Sequence, residues 1–214
     1  MNTSRPHLIG LFGGTFDPIH FGHLRPAVEL REHFELDTLN LLPNHRPAHR
    51  DHPTASTAQR IDMLQLAIND IPQLQVDVRE AERDKPSYTV DTLTEYRLQY
   101  PDASFVFFLG IDAFSKFDSW HRWEDILSLT NLVVIDRPES TLSDWASALI
   151  DRQTSRVGDT VSGAHAGAIE RFAVTQLAIS ATDIRQRIGA GKSVDFLLPG
   201  VVKQYIVRHG LYQG

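Results

Sequence analysis

Leu8-Ile9-Gly10-Leu11-Phe12-Gly13-Gly14-Thr15-Phe16-Asp17-Pro18-Ile19-His20-Phe21-Gly22-His23 decides the fold. Residues 8–12 are a short apolar run that ends in paired glycines. After a polar loop, Leu24, Ala27, Val28 and Leu30 follow at helical spacing. The order is strand, glycine turn, helix. It recurs with a strand expected at 38–42, a helix at 57–68, a strand at 74–78 and a helix at 89–100 that carries Val90, Leu93, Tyr96 and Leu98. Residues 104–109 and 131–135 are almost wholly apolar, as strands buried on both faces must be, so they belong at the centre of a sheet. A last strand is expected at 172–179, before a helix that opens near Ser180.

Strands that alternate with helices across short loops pair in parallel through right-handed crossovers. The expected fold class is therefore α/β, a Rossmann-like doubly wound, mostly parallel sheet with helices on both faces. A small helical C-terminal part is expected over 179–214. A chain of 214 residues fits one main core, so 1–214 is read as a single domain. The stretch 139–168 carries no chemical motif and is expected to be a surface helix over 142–150 plus a loop.

With 42% hydrophobic and 22% charged residues the chain is globular in composition. A formal charge of -6 argues against a nucleic-acid partner, because it leaves no general basic surface to neutralise a phosphate backbone. Cysteine is absent, which excludes disulfides, thiolate catalysis and cysteine-based metal sites. Residues 1–7 are polar and lead into no signal-peptide core, and no apolar run is long enough to span a membrane; a cytoplasmic protein with no membrane partner is expected.

Ligands of doubly wound sheets sit beyond the carboxyl ends of the strands, and four motif-bearing loops fall there. In residues 13–23 the paired glycines allow backbone amides to approach a phosphate, and the following helix N-terminus favours an anion. Neither the Gly-x-Gly-x-x-Gly spacing nor a Walker lysine is present. His20 and His23 are three apart at a helix start and can point to one side, suited to stabilising charge in phosphoryl transfer. The residue types alone leave open a plain turn with histidines filling a helix end.

Ser180-Ala181-Thr182-Asp183-Ile184-Arg185 opens another helix, with capping-box spacing between Ser180 and Asp183 and an ion-pair spacing between Asp183 and Arg187. Arg185, three residues after Thr182, is not explained by capping and is a candidate anion ligand. Gly191-Lys192-Ser193 looks like the end of a Walker loop, but no strand precedes it, so it is read as a helix-ending turn. Residues 110–123 pack aromatics among polar groups; Trp120 is open to stacking on a heteroaromatic base or to core burial, and Trp123 with Ile126 and Leu127 reads as core. Pro43-Asn44-His45-Arg46-Pro47-Ala48-His49-Arg50 gathers cations, suited either to a polyphosphate or to solvent.

Taken together, these segments resemble the bacterial nicotinate mononucleotide adenylyltransferases over nearly the whole chain. The resemblance is carried by residues 13–23, Leu-Leu-Pro-Asn-His-Arg-Pro-Ala-His-Arg at 41–50, Ser-Tyr-Thr-Val-Asp-Thr-Leu at 87–93 and Leu-Gly-Ile-Asp-Ala-Phe at 109–114. It continues through Trp120-His121, Ile-Ser-Ala-Thr-Asp-Ile-Arg at 179–185 and the tail around Leu198, Tyr205 and Tyr212. It implies the reaction of ATP with nicotinate mononucleotide to give deamido-NAD and pyrophosphate, with Mg2+ carried on ATP and no metal site of the protein's own. By the same resemblance Gly13, Gly14, Thr15, Phe16, Asp17, His20, His23, Ser180, Thr182 and Arg185 would bind ATP, with His20, His23 and Arg185 catalytic. Thr89, Asp112, Trp120 and His121 would bind the nicotinate nucleotide: Trp120 by stacking, amides near Thr89 and His121 on the carboxylate, and Asp112 on the ribose. One departure is Ala181, which stands where the family often has a second serine. The residues leave two rivals open, a different phosphate-bearing acceptor and a non-catalytic nucleotide-binding module on the same fold.

Overall fold

The computed structural model describes residues 7–44, 53–83, 86–136, 140–157 and 160–213. The cation-rich loop read at 43–50 lies outside them from residue 45 onward. Among the described residues six strands form one sheet: β1 (Leu8–Gly14), β2 (Thr38–Pro43), β3 (Leu74–Val76), β4 (Ser104–Gly110), β5 (Asn131–Asp136) and β6 (Ile169–Ala173), in the order β3-β2-β1-β4-β5-β6. β1 pairs in parallel with β4, β4 with β5, and β5 with β6. The chain moves outward in one direction from β1 to β3 and in the other from β4 to β6. With right-handed crossovers this is the doubly wound arrangement, and the reversal at the neighbouring strands β1 and β4 is where such sheets form their ligand crevice. Gly13 and Gly110 stand at the carboxyl ends of those two strands.

The helices are α1 (Phe21–His33), α2 (Thr57–Ile68), α3 (Thr89–Gln99), α4 (Ile111–Phe114), α5 (Trp123–Leu129), α6 (Asp144–Val157), α7 (Ala181–Gly189) and α8 (Gly200–Arg208), with a 3-10 turn over Phe117–Ser119. α2 obeys its local code closely: Ser56 caps it, accepting from the Gln59 amide, while the Ser56 amide donates to the Gln59 side-chain oxygen. The segment 190–193 is a helix-ending turn, with Gly191 at positive φ and the Lys192 amide donating to the Arg187 carbonyl at 2.8 Å.

Two compact units, interleaved along the chain, share these elements. The first comprises Met1–Gly13, Leu30–Leu39 and Tyr88–Val174; the second comprises Gly14–Glu29, Asn40–Ser87 and Thr175–Gly214. The first is built on β4, whose Phe105, Val106, Phe107, Phe108 and Leu109 are all buried, and on β5, buried from Asn131 to Ile135. Arg97 of α3 lies over the Phe105 ring, 4.4 Å from its centroid, and donates to the Ala103 and Leu129 carbonyls at 2.6 and 2.7 Å. In the second unit α2 packs on α8, where the Tyr205 hydroxyl donates to Asp62 at 2.7 Å.

Several expected boundaries differ. The strand read at 172–179 is β6 at Ile169–Ala173, and residues 175–178 are exposed with no regular structure. β6 pairs with β5 from Ile169 to Ala173, and Ala173 lies opposite Asp136, the last residue of β5. β3 stops at Val76 rather than 78 because Asp77 turns the chain, its side chain accepting from the Arg79 amide at 2.9 Å. The helix expected at 142–150 is longer, and it buries Ala146, Leu149 and Gln153.

Fully buried Asn131 holds the segment before β6: its amide group donates to the Val161 and Ala164 carbonyls at 3.1 and 2.8 Å and its oxygen accepts from the Ala168 amide at 3.0 Å. Asn131→Ala leaves three buried backbone groups without that partner, and urea denaturation is expected to show a loss of about 3 kcal/mol. A change within about 0.5 kcal/mol contradicts this account.

Candidate active site

The loop between β1 and α1 is organised by a buried carboxylate. Asp17, only 4% exposed, accepts from the Thr54 amide at 2.8 Å, the Ala55 amide at 3.1 Å and the Tyr212 hydroxyl at 2.7 Å. Its backbone carbonyl accepts from Arg185 Nη1 at 2.7 Å, and the same guanidinium nitrogen lies 3.9 Å from the Asp17 carboxylate. A carboxylate is costly to bury unless its oxygens are hydrogen-bonded, and here three donors do so. Desolvation and the Asp17 carboxylate push the Tyr212 hydroxyl far above its ordinary value, so it remains a proton donor.

A second buried charge secures the start of the loop. Arg60 of α2 is fully buried and donates to the Thr15 and Asn44 carbonyls, each at 2.7 Å, and to the Thr57 hydroxyl at 3.1 Å. Burial works against its charge, and Asp17 works for it. The Asn44 amide donates to the Gly14 carbonyl at 3.2 Å, so residues 14, 15 and 17 are each tied down.

The glycines at 14 and 22 have a packing reason. A Cβ on Gly14 would stand 2.7 Å from the Phe16 ring, which is buried although Phe16 itself has φ of 50°. A Cβ on Gly22 would stand 2.9 Å from the His20 ring and 3.0 Å from the Ile179 carbonyl. Gly22 thus lets the first turn of α1 close on His20. The His20 carbonyl accepts from the His23 and Leu24 amides, and the two imidazoles stack with centroids 3.8 Å apart. Phe16 meets His23 edge-on at 5.2 Å. His20 is 4% exposed, and burial lowers its pKa from 6.5 to about 4, so it is neutral near pH 7.

The α7 end behaves as the sequence suggests. Ser180 caps the helix by accepting from the Asp183 amide at 3.1 Å, and Arg187 pairs with Asp183 at 2.9 Å. Arg185 is partly exposed, and its Nη2 donates to the Thr182 hydroxyl at 3.3 Å. Arg185 and Thr182 therefore share a face, and Arg185 reaches back to the loop that carries both histidines.

In the first unit Trp120 is half-buried, with its ring edge-on to Phe107 at 6.2 Å and tilted against Phe117 at 5.4 Å. His121 is exposed and contacts the Tyr88 ring at 4.6 Å, which joins this loop to the start of α3, where Thr89 is the first residue. Asp112, in α4, is exposed and accepts from the Ser140 hydroxyl at 3.4 Å. Trp123 is half-buried rather than core, while Ile126 and Leu127 are core. Among the described residues no group of three or more His, Cys, Asp or Glu could hold a metal ion.

Residues 11–187 match the cytidylyltransferase-like family. A protein of Cellvibrio japonicus (strain Ueda107) named "Probable nicotinate-nucleotide adenylyltransferase" is 49% identical over 212 residues, covering 98% of this chain and 100% of that protein. One of the same name from Pseudomonas aeruginosa (strain UCBPP-PA14) is 47% identical, covering 96% and 97%. The chain belongs to this family of nicotinate-nucleotide adenylyltransferases. A Plasmodium falciparum nicotinic acid mononucleotide adenylyltransferase complexed with NaAD has the same fold, with a TM-score of 0.74 at 16% identity over 96% of this chain and 97% of that one.

Sequence reasoning in this adenylyltransferase chain missed Arg60 and gave Tyr212 no role. For Arg60 a signal existed: it precedes Met63 and Leu64 by three and four residues and so lies on the apolar stripe of α2. Tyr212 meets Asp17 across 195 positions, which no local pattern reveals.

The buried neutral His20 has a consequence for stability. Between pH 6.5 and about 4 the unfolded histidine is protonated and the folded one is not. Stability is therefore complete above the unfolded value and falls as pH drops toward 4, by about 3 kcal/mol in all. Urea titrations across this range are expected to show that loss, and His20→Gln should flatten it; an unchanged slope in the variant refutes the assignment.

Proposed function

We propose that this chain transfers the adenylyl group of ATP to nicotinate mononucleotide, giving deamido-NAD and pyrophosphate. The observation that carries the reading is the Arg185 bond to the Asp17 carbonyl, which ties a partly exposed guanidinium to the loop bearing His20 and His23. Gly13, Gly14, Thr15 and Phe16 present the loop to the nucleotide, with Asp17 as its internal anchor. His20 and His23 stabilise the phosphates, while Ser180, Thr182 and Arg185 hold the β- and γ-phosphates. His20 is neutral because burial lowers its pKa to about 4, and a neutral imidazole keeps one N–H to donate. Arg185 makes two hydrogen bonds among the described residues, and a guanidinium has five N–H donors.

The acceptor phosphate attacks the α-phosphorus in line as the bond to pyrophosphate breaks, without a covalent enzyme intermediate. The protein's contribution is position and charge. ATP enters as its Mg2+ complex, in which the ion offsets charge on the leaving pyrophosphate. Trp120 stacks on the pyridine ring, amides near Thr89 and His121 receive its carboxylate, and Asp112 takes the ribose. The half-buried state of Trp120 supports this, since a ring consumed by core packing would offer no face. Residues 1–214 work as one nucleotidyltransferase domain, with 179–214 closing the ATP site, in the cytoplasm where ATP is supplied. Among the described residues no helix is long and apolar enough to cross a membrane.

Pyrophosphate release is expected with nicotinate mononucleotide in preference to nicotinamide mononucleotide, phosphopantetheine or a phospho-alcohol, and any other order of preference overturns the substrate assignment. His20→Ala and His23→Ala are each expected to lower kcat about a hundredfold or more while the variants remain folded by circular dichroism. Near wild-type rates in either variant refute its role.

A further inference from the structure

Tyr212 is 9% exposed, sits at φ of 63° and spends its hydroxyl on Asp17 Oδ1 at 2.7 Å. A tyrosine is rarely held in the left-handed region, so the surrounding packing must over-determine its placement. Burial accounts for the ring, and an apolar ring would satisfy burial equally well. The hydroxyl is what distinguishes the site, because it supplies one of the two bonds received by Asp17 Oδ1, the other coming from the Ala55 amide. The opposite oxygen, Oδ2, takes the Thr54 amide and lies 3.9 Å from Arg185 Nη1.

We propose that Tyr212 is a positioning residue for adenylyl transfer: by holding the Asp17 carboxylate in one orientation, its hydroxyl keeps the Arg185 guanidinium on the Asp17 carbonyl and directed at the triphosphate. The proposal rests on the ATP reading of the site. Without the hydroxyl, Oδ1 retains the Ala55 amide and Oδ2 the Thr54 amide, so one of three holding donors is gone and the carboxylate can shift toward the guanidinium beside it. Arg185 then forms a closer ion pair with Asp17 at the expense of the phosphate, since a cation shared with a buried carboxylate is drawn to it. Tyr212 touches no reacting atom in this scheme; it acts through Asp17 on Arg185.

The test uses the full chain and Tyr212→Phe, which removes one oxygen. Calorimetry with a non-hydrolysable ATP analogue and steady-state kinetics are expected to show the analogue Kd and the KM for ATP each raised about tenfold, with the KM for the acceptor unchanged. In an Asp17→Asn background the same substitution is expected to change ATP affinity less than about twofold, because the orientation it protects is already lost. Tyr212→Phe matching wild type in analogue binding overturns the role of the tyrosine alone. An equal rise in both KM values with a lowered melting temperature also overturns it, leaving only a structural contact. A wild-type chain that binds no ATP analogue overturns the nucleotide reading beneath it.

Discussion

The buried carboxylate of Asp17 is the interaction on which the candidate nucleotide site depends. Removing a carboxylate from water costs several kcal/mol unless donors replace the water. Here the donors come from two distant segments, the amides of Thr54 and Ala55 and the hydroxyl of Tyr212, and Arg185 bonds to the same residue's carbonyl. The charge can stay buried only if all of them arrive together. Residues 14–17, the start of α2, the face of α7 and the end of the tail are in this way fixed by one requirement. Arg60 plays the complementary part as a buried cation whose bonds go to the carbonyls of Thr15 and Asn44 and to the Thr57 hydroxyl.

This arrangement also assigns the charges. Asp17 already accepts three hydrogen bonds, so it is an anchor, and the groups left to meet an anion are cationic or neutral. Burial keeps His20 neutral, which suits a ring stacked on a second imidazole at 3.8 Å, where two positive charges would repel. A neutral imidazole can still donate one hydrogen bond, and Arg185 supplies the formal charge. The proposed phosphate site is compatible with a net charge of -6, because the field close to a few fixed donors outweighs the distant average.

Much of the fold was legible because its signals are local. The glycine turn after an apolar run, the capping pair that begins α2 and the wholly apolar β4 all lie within a few residues of what they specify. β6 was misplaced because the bounds of a strand depend on its partner, and the pairing with β5 runs from Ile169 to Ala173. Thr182 and Arg185 were legible as a pair because helical spacing alone sets their shared face. The anchors of the same loop were not: Arg60 meets Thr15 across 45 positions and Tyr212 meets Asp17 across 195, so neither bond follows from any periodicity.

Backbone strain falls where those anchors are. The non-glycine residues with positive φ among the described ones are Phe16, Glu35, Arg122, Phe196 and Tyr212. Phe16 and Tyr212 flank the Asp17 carboxylate, one as its neighbour in sequence and the other as its hydrogen-bond partner, and Arg122 directly follows Trp120 and His121. Each such residue costs about 1–3 kcal/mol and persists only where its surroundings leave no alternative. Phe16 and Tyr212 are buried and Phe196 is almost fully exposed, so packing can enforce the first two conformations and not the last. A loop held this way gains no stability from its shape. What it gains is that Gly14, Asp17 and the histidines are set during folding, so the ordering that the proposed phosphoryl transfer requires would not have to be supplied on nucleotide binding.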